Sequence, residues 1–204
     1  MTAFLLLLAI LFVIVVGVEV LSRAVKLPLE LTRKATHILT GVTVAVSAFY
    51  VGHIYLQILA LLFLAVIATS RRVGIFRSIH DPERSGLGDI WYPVGILLAT
   101  VFFPDPTIFM YSVLILSVSD GLAGLIGKSF GRRKIGFISA PKTHLGFGTF
   151  FVTAFALSLL VMPVGPAIGA ALYLAVVELL SFRGIDNLIL PLAAGILATV
   201  VRFG

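Results

Sequence analysis

The sequence predicts an all-α membrane protein, a polytopic helical bundle of about eight transmembrane helices with both termini on the non-cytoplasmic side. Three observations lead to this prediction. Of the 204 residues, 60% are hydrophobic and 12% are charged, with a mean hydropathy of +1.16. The apolar residues form repeated runs, and the basic residues occupy alternate connections between those runs. A soluble core of this length cannot hide so much apolar surface, because too little polar surface remains to cover it.

The apolar runs set the expected number of helices, since a spanning helix needs about 20 mostly apolar residues. The first run lacks a basic segment before it and a small-residue cleavage site after it, so it is interpreted as a mature helix and not as a signal peptide. No linker, low-complexity tract or internal repeat divides the chain, so residues 1–204 are predicted to form a single membrane domain. The runs are 3–21, 36–52, 53–69, 90–103, 107–126, 146–162, 164–181 and 187–203.

The basic residues predict the orientation. Every second connection is short, with the sequences YVGH, FPDPT and MPVG. By the positive-inside rule, the basic connections are cytoplasmic, and both termini therefore lie outside. These connections, 22–35, 70–89, 127–145 and 182–186, hold 14 of the 15 basic residues, namely Arg23, Lys26, Arg33, Lys34, Arg71, Arg72, Arg77, Arg84, Lys128, Arg132, Arg133, Lys134, Lys142 and Arg183.

The acidic residues gather on the same side, with Asp105 in an outer turn as an exception. Asp120 and Glu178 lie inside apolar runs near the cytoplasmic ends of those runs. An acid inside a spanning helix costs about 2.5–3.5 kcal/mol on insertion scales, so it usually faces a partner, a polar cavity or an ion. A helix–helix hydrogen bond or a loop arginine would explain Asp120 without a function. The absence of cysteine excludes disulfides and thiolate metal sites.

Gly127-Lys128-Ser129 has the ending of a nucleotide-binding P-loop, but the rest of that motif is missing. A P-loop requires a glycine five residues before Gly127, where this chain has Leu122, and it follows a buried strand, where this chain has an apolar helix. The neighbouring glycines at 146 and 148 likewise lack the third glycine of a dinucleotide-binding pattern. Neither soluble nucleotide-binding motif is therefore predicted.

A different phosphate site remains compatible with the segment after Asp120. Asp120 could hold a divalent cation, and glycines would allow backbone amides to approach phosphate oxygens. The alternatives are close packing of helices through the glycines, and a topogenic loop that binds anionic lipid. The basic residues of the segment are Lys128, Arg132, Arg133, Lys134 and Lys142.

Several short motifs resemble the diacylglycerol/polyprenol kinase family, which includes phytol kinase and dolichol kinase. They are Asp120-x-x-Ala123-x-x-x-Gly127, FGRRK with KTHLG, VELLSFRGIDNLILPL at 177–192, ELTRKATHILTG at 30–41 and GLGDIWYPVG at 86–95. The resemblance implies transfer of the terminal phosphate of a nucleoside triphosphate, typically CTP with ATP not excluded, to the hydroxyl of a membrane lipid alcohol, with Mg²⁺. Leu145 stands where the family often has glutamate, which affects the metal count or the nucleotide preference.

The resemblance also implies roles for particular residues, and phosphoryl transfer needs acids for magnesium, basic donors for phosphate and a group that orients the acceptor. Asp120, together with Glu178 or Asp186, is expected to hold the metal. Asp120, Asp89 and Glu178 are the catalytic candidates, with Asp89 on the acceptor side near the aromatic IWYP stretch. Asn187 is expected to fix a neighbouring acid by hydrogen bonding, and Glu30 is a supporting residue. The nucleotide and phosphate candidates are Lys142, Arg132, Arg133, Lys134, Lys128, Gly127, Thr143, Gly146, Arg33, Lys34 and His37.

Two other functions share part of this pattern. A CTP-using phosphatidate cytidylyltransferase would bind the same nucleotide but release pyrophosphate. A transporter or scramblase would use intramembrane acids as a path, but it would place them near the middle of the bilayer, whereas these acids lie at one face. The acceptor stays open among phytol, farnesol, a polyprenol and diacylglycerol. The predicted partners are this lipid, the nucleotide and the bilayer, with no nucleic acid.

Overall fold

The computed structural model describes residues 1–73, 86–135 and 142–204. These residues form helices joined by short connections, and no strand occurs among them, which confirms the all-α prediction. The helix α5, a π-helical turn (Ile115–Ser119) and the helix α6 form one continuous rod, Pro106–Phe130. The described residues therefore contain eight helical rods where the sequence has eight apolar runs. The helices are α1 (Thr2–Ala24), α2 (Leu29–Ser47), α3 (His53–Val73), α4 (Gly88–Phe102), α5 (Pro106–Leu114), α6 (Asp120–Phe130), α7 (His144–Ser158), α8 (Val164–Leu180) and α9 (Asp186–Phe203).

The helices differ in their fitness to cross a membrane. Within the described residues, α1, α3, the α5–α6 rod and α9 are long and apolar enough to do so, while α4, α7 and α8 are apolar but shorter. The helix α2 begins at Leu29, directly after Pro28 and well before the apolar run that starts at residue 36. Arg33 and Lys34 therefore lie on this helix, N-terminal to the apolar run.

The rod Pro106–Phe130 forms the centre of the bundle. In its 18-residue apolar stretch 67% is buried, compared with 22% in the corresponding stretch of α1 at the periphery. The rod packs against α2, α4, α7 and α9, and its Tyr111 hydroxyl lies 2.8 Å from the Ser158 hydroxyl on α7. Large apolar side chains cover the outward faces of the peripheral helices, among them Leu5, Leu6 and Phe12 on α1. This distribution matches a bundle that is surrounded by lipid.

Two glycines bring α4 against the start of α9. A methyl group at Gly95 would clash with the main-chain oxygen of Asn187, so only glycine allows this close approach. Gly184 has a φ of +86° and lies against Gly88, where a side chain would be strained and obstructed. The beginnings of α4 and α9 are therefore adjacent, and they meet at the same end of the bundle as the beginnings of α2 and α7.

Candidate active site

Three carboxylates from three helices converge at this end of the bundle. Asp120 is the first residue of α6, Glu178 lies near the end of α8, and Asp186 is the first residue of α9. One carboxylate oxygen from each side chain lies within 4.8 Å of the other two. We call these residues the acid triad. Asp120 and Glu178 are buried, and Asp186 is half-buried. The acid triad contains Asp120 with both acids that the sequence offers as its partner in metal binding. Metal binding by these residues stays a prediction.

Two lysines contact the acid triad. Lys34 Nζ of α2 lies 2.5 Å from Asp120 Oδ2 and donates to the Asp120 main-chain oxygen at 3.2 Å. Lys142 Nζ lies 2.7 Å from Glu178 Oε1 and 3.9 Å from Asp186 Oδ2, and it also donates to the Glu178 main-chain oxygen. Both lysines were assigned to phosphate in the sequence. In the structure their ammonium groups lie at the acids, and their contact with phosphate stays a prediction.

The charges of this centre fit a divalent cation. Three carboxylates and two ammonium groups leave one net negative charge in a largely buried space. Magnesium prefers oxygen ligands at about 2.0–2.1 Å, so its opposite ligands lie about 4.2 Å apart. The triad oxygens all lie within 4.8 Å of one another, so the side chains would have to draw closer together around an ion. The acid triad thus offers the charge and the ligand type that Mg²⁺ prefers, and binding of the ion stays a prediction.

The π-helical turn places Asp120. It occupies Ile115–Ser119 and ends directly before Asp120, and such turns are frequent at functional sites because they change the direction of the following side chains. The Leu116 main-chain oxygen in this turn accepts a hydrogen bond from His37 Nε2 at 3.1 Å. The same nitrogen lies 3.6 Å from Asp120 Oδ2. His37 therefore borders the acid triad from α2, which agrees with the active-site role that the sequence assigns to it.

A cleft lies beside His37, and because several polar side chains line it, it is called the polar cleft below. Asp89 lines it from α4, and its Oδ2 lies 3.2 Å from Arg71 Nε. Arg71 also donates to the Gly86 main-chain oxygen at 3.2 Å, which ties the end of α3 to the start of α4. Within the described residues Asp89 lies outside the acid triad. The cleft is lined by Arg33, Thr36, His37, Thr40, Phe63, Ile67, Gly88, Asp89, Tyr92 and Asn187.

Asn187 supports the site through two different groups. Its main-chain N–H donates to Asp186 Oδ1 at 3.1 Å, as the free amides at the start of a helix commonly do. Its side-chain Nδ2 donates to the Gly88 main-chain oxygen at 2.6 Å. The sequence prediction of a hydrogen bond to a neighbouring acid is met by the main chain, whereas the side chain joins α9 to α4.

The two glycines assigned to phosphate lie between helices. Gly127 of α6 faces Gly146 of α7, and a methyl group on Gly127 would lie 3.1 Å from the Gly146 Cα. Thr143 caps α7 by accepting from the Gly146 N–H at 3.1 Å, and its hydroxyl donates to the Gly127 main-chain oxygen at 3.4 Å. The structure thus gives these residues a packing role, as the alternative reading of the glycines expected. Their contact with phosphate stays a prediction.

The remaining basic candidates lie at the rim. Arg132, Arg133 and Lys134 are exposed, and the main chain of Lys134 pairs with Thr143 in an antiparallel bridge. This bridge brings the segment after α6 back to the start of α7. Residues 136–141 of the same connection lie outside the described residues, as do Arg77 and Arg84 of the connection between α3 and α4.

Glu30 joins two of the basic candidates at the start of α2. Its Oε1 accepts from Arg33 Nη2 at 2.7 Å, and its Oε2 lies 3.1 Å from Lys128 Nζ. Glu30 therefore connects α2 with α6 at the same end as the acid triad. This arrangement matches the supporting role that the sequence assigns to Glu30.

Sequence reasoning missed Tyr92 and Ser117. The Tyr92 hydroxyl donates to the His37 main-chain oxygen at 3.1 Å and lies 3.4 Å from Ser117 Oγ. The rings of Tyr92 and His37 lie 4.2 Å apart between centroids. Tyr92 belongs to the motif GLGDIWYPVG, which was the available signal, but it was read only as an interfacial aromatic residue. In the structure it is a buried contact of His37.

Comparison with known proteins places this site in a family. A phytol kinase of Synechocystis sp. is 30% identical over 200 residues, which cover 91% of this chain and 85% of that protein. A probable chloroplastic phytol kinase of Triticum aestivum is 26% identical, covering 83% of this chain and 66% of its own length. A probable chloroplastic phytol kinase 1 of Oryza sativa subsp. japonica is 28% identical over 141 residues, covering 60% of this chain and 44% of its own length.

No family model and no solved structure matches the chain. The similarity to the cyanobacterial protein extends over most of both chains. It confirms the resemblance drawn from the short motifs. The chain belongs to the phytol kinase family of lipid-alcohol kinases.

Proposed function

We propose that the protein transfers the terminal phosphoryl group of CTP to the hydroxyl of phytol or a similar lipid alcohol, with Mg²⁺, at the cytoplasmic face of a membrane. One observation carries the proposal most directly. The acid triad and its two lysines lie at one end of a lipid-facing bundle, next to a polar cleft. The names of the three relatives support a kinase and a lipid alcohol as its substrate.

Phosphoryl transfer depends mainly on positioning and on neutralising the charge of the transferred group. Asp120, Glu178 and Asp186 would hold Mg²⁺, and the bound ion would offset negative charge on the phosphate oxygens. Lys34 and Lys142 supply ammonium donors at the same centre, and the exposed Arg132 and Arg133 can receive the outer part of the triphosphate. The site therefore offers positive groups from its buried centre to its rim.

The acceptor alcohol enters from the other side of His37 in this proposal. Its oxygen forms the new bond to the terminal phosphorus, the bond from that phosphorus to the bridging oxygen breaks, and the nucleoside diphosphate leaves. The hydroxyl proton passes to the Asp89 carboxylate in the polar cleft and then to water. The ion pair with Arg71 holds Asp89 at the cleft wall, which supports its role on the acceptor side.

The choice of CTP over ATP rests on the family resemblance, and a direct assay decides it. The purified protein in lipid nanodiscs is incubated with Mg²⁺, phytol and nucleotide labelled in the γ-phosphate. We expect label on the lipid with CTP, less label with ATP, and none after chelation of magnesium. Label recovered as pyrophosphate would instead indicate a cytidylyltransferase, and absence of labelled lipid with every nucleotide and alcohol would overturn the proposal.

A further inference from the structure

An apolar groove lies between α1, α2, α3 and α4. Its walls include Leu11 of α1, Val44 of α2, Leu59 and Ala60 of α3, and Ile96 of α4, and its accessible lining is wholly apolar. Because lipid surrounds such a bundle, a hydrocarbon chain gains no hydrophobic free energy when it moves from the bilayer into an apolar groove between helices. What the groove can provide is a shape that fits one kind of hydrocarbon chain.

The apolar groove is continuous with the polar cleft. Thr40, Phe63 and Tyr92 line both of them. The cleft in turn reaches His37, whose Nε2 lies 3.6 Å from Asp120 Oδ2 of the acid triad. A single elongated site therefore runs from an apolar part inside the bundle, through a polar part, to the edge of the acid triad.

The polarity of this site changes along its length in the same way as that of a lipid alcohol, which has a hydroxyl at one end and hydrocarbon along the rest. We propose that the apolar groove holds the hydrocarbon chain of the acceptor, with its hydroxyl in the polar cleft beside His37 and Asp89. This inference rests on the proposed function and names the place where its acceptor lies.

Substitution inside the groove tests the proposal through chain-length selectivity. Ala60 is buried in the groove wall, whereas its neighbour Leu61 is 53% exposed on the outer face of α3. Ala60→Phe fills the groove, and Leu61→Phe is the matched control. We expect Ala60→Phe to lower kcat/KM for phytol by at least tenfold while kcat/KM for a five-carbon prenyl alcohol stays within twofold. Equal selectivity of Ala60→Phe and Leu61→Phe would overturn the groove assignment.

A second measurement needs no turnover. A phytol analogue with a diazirine on its chain is irradiated with the wild-type protein, and the labelled peptides are mapped by mass spectrometry. We expect labels at Val44, Leu59 and Ile96 that excess phytol removes. Labels confined to outward positions such as Leu61, or labels in the groove that excess phytol does not remove, would overturn the proposal.

The two measurements also separate this inference from the proposed function. A wild-type protein that binds phytol in the groove but phosphorylates no alcohol would contradict the kinase activity and retain the groove. A wild-type protein that phosphorylates phytol but takes no label in the groove would contradict the groove assignment and retain the kinase activity. If Ala60→Phe does not fold, Ala60→Leu introduces a smaller side chain at the same position, and the crosslinking experiment with the wild-type protein is unaffected.

Discussion

Lys34 and Asp120 lie 86 positions apart in the chain, yet their side chains form an ion pair with only 7% and 8% of their surfaces exposed. Removing one partner of a buried pair leaves the other charge without compensation, at a cost of about 3–5 kcal/mol. Each residue of this centre therefore has a structural role beside its proposed catalytic one. A useful substitution must separate the two roles.

Asp120→Asn is expected to lower kcat by about 100-fold or more, because it keeps the shape of the side chain and removes a charge that faces magnesium and phosphate. It should also lower the melting temperature, since Lys34 loses its ionic partner. The double variant Lys34→Gln with Asp120→Asn should recover the melting temperature but not the turnover. Thermal unfolding and the phytol phosphorylation assay measure the two effects.

Asp105→Asn provides the control for this substitution. Asp105 caps α5, where asparagine caps equally well, and it pairs with Arg202 near the end of α9, away from the triad. Its turnover should equal that of the wild type. Wild-type turnover of Asp120→Asn at saturating magnesium would show that Asp120 serves only in packing.

Lys142→Ala is expected to raise the KM for nucleotide or lower kcat, with a loss of about 1.5–3 kcal/mol in transition-state binding, the usual scale of a charge-assisted contact. Lys142→Arg should also be impaired, because a planar guanidinium does not occupy the position of the ammonium beside Glu178. Steady-state kinetics with varied CTP measure both. Arg72→Ala removes an exposed basic residue at the end of α3. It is the control for a positive charge that acts only through membrane insertion of the chain.

Wild-type nucleotide kinetics of Lys142→Ala would place the nucleotide elsewhere and remove the main chemical support for the proposed donor site. If Arg72→Ala impairs the kinetics equally, the effect of Lys142→Ala arises from insertion of the chain into the membrane. Surface labelling of the membrane-inserted protein checks that all three variants reach the membrane in equal amounts.

At the scale of helices, the site depends on close contacts between particular pairs. Gly127 and Gly146 allow α6 and α7 to approach, and Gly95 allows α4 to approach the start of α9. These contacts bring Asp120, Lys142 and Asp186 to one depth in the bundle. Small residues at helix contacts are the usual means of packing in membranes.

Gly127→Ala is expected to destabilise the protein by about 1–3 kcal/mol, because a methyl group would press against Thr143 Oγ1 at 3.0 Å and Gly146 Cα at 3.1 Å. Gly148→Ala on α7 is the matched control, since nothing lies within 4 Å of its added methyl group. That control should be neutral or slightly stabilising, as alanine favours helix over glycine. Thermal unfolding in detergent compares the two variants, and equal melting temperatures would contradict a packing role for Gly127.

At the scale of the whole molecule, the acid triad, the lysines, the polar cleft and the exposed Arg132 and Arg133 lie at one end of the bundle. Asp105 and Arg202 pair at the opposite end. This polarity agrees with the alternation of basic connections in the sequence. The assignment of the catalytic end to the cytoplasm follows from the positive-inside rule and stays a prediction.

Cysteine labelling tests the orientation, and the natural chain contains no cysteine that would interfere. A cysteine at Arg132 should resist an impermeant thiol reagent applied to intact cells and react after permeabilisation. A cysteine at Tyr50, which is 75% exposed between α2 and α3, should react in intact cells. Labelling of the Arg132 position from outside would reverse the proposed topology.

Local patterns in the sequence determined the helices, their number and the grouping of charges at alternate connections. Asp120 and Glu178 could also be chosen in advance, because an acid in an apolar run is costly and needs a reason. Asp186, in a basic connection, was chosen through the family resemblance. The start of α2 lies before its apolar run, because the run is bounded by apolar residues, whereas the helix also includes the charged residues after Pro28.

Only the tertiary structure decided which residues meet. The pairing of Lys34 with Asp120, the contact of Tyr92 with His37 and the apolar groove all join distant parts of the chain. The hydrophobic periodicity of the sequence does not predict such contacts, because they depend on how the helices are rotated and how closely they approach one another. The π-helical turn before Asp120 and the fit of Gly95 against Asn187 set that rotation and approach, and neither follows from composition or hydropathy.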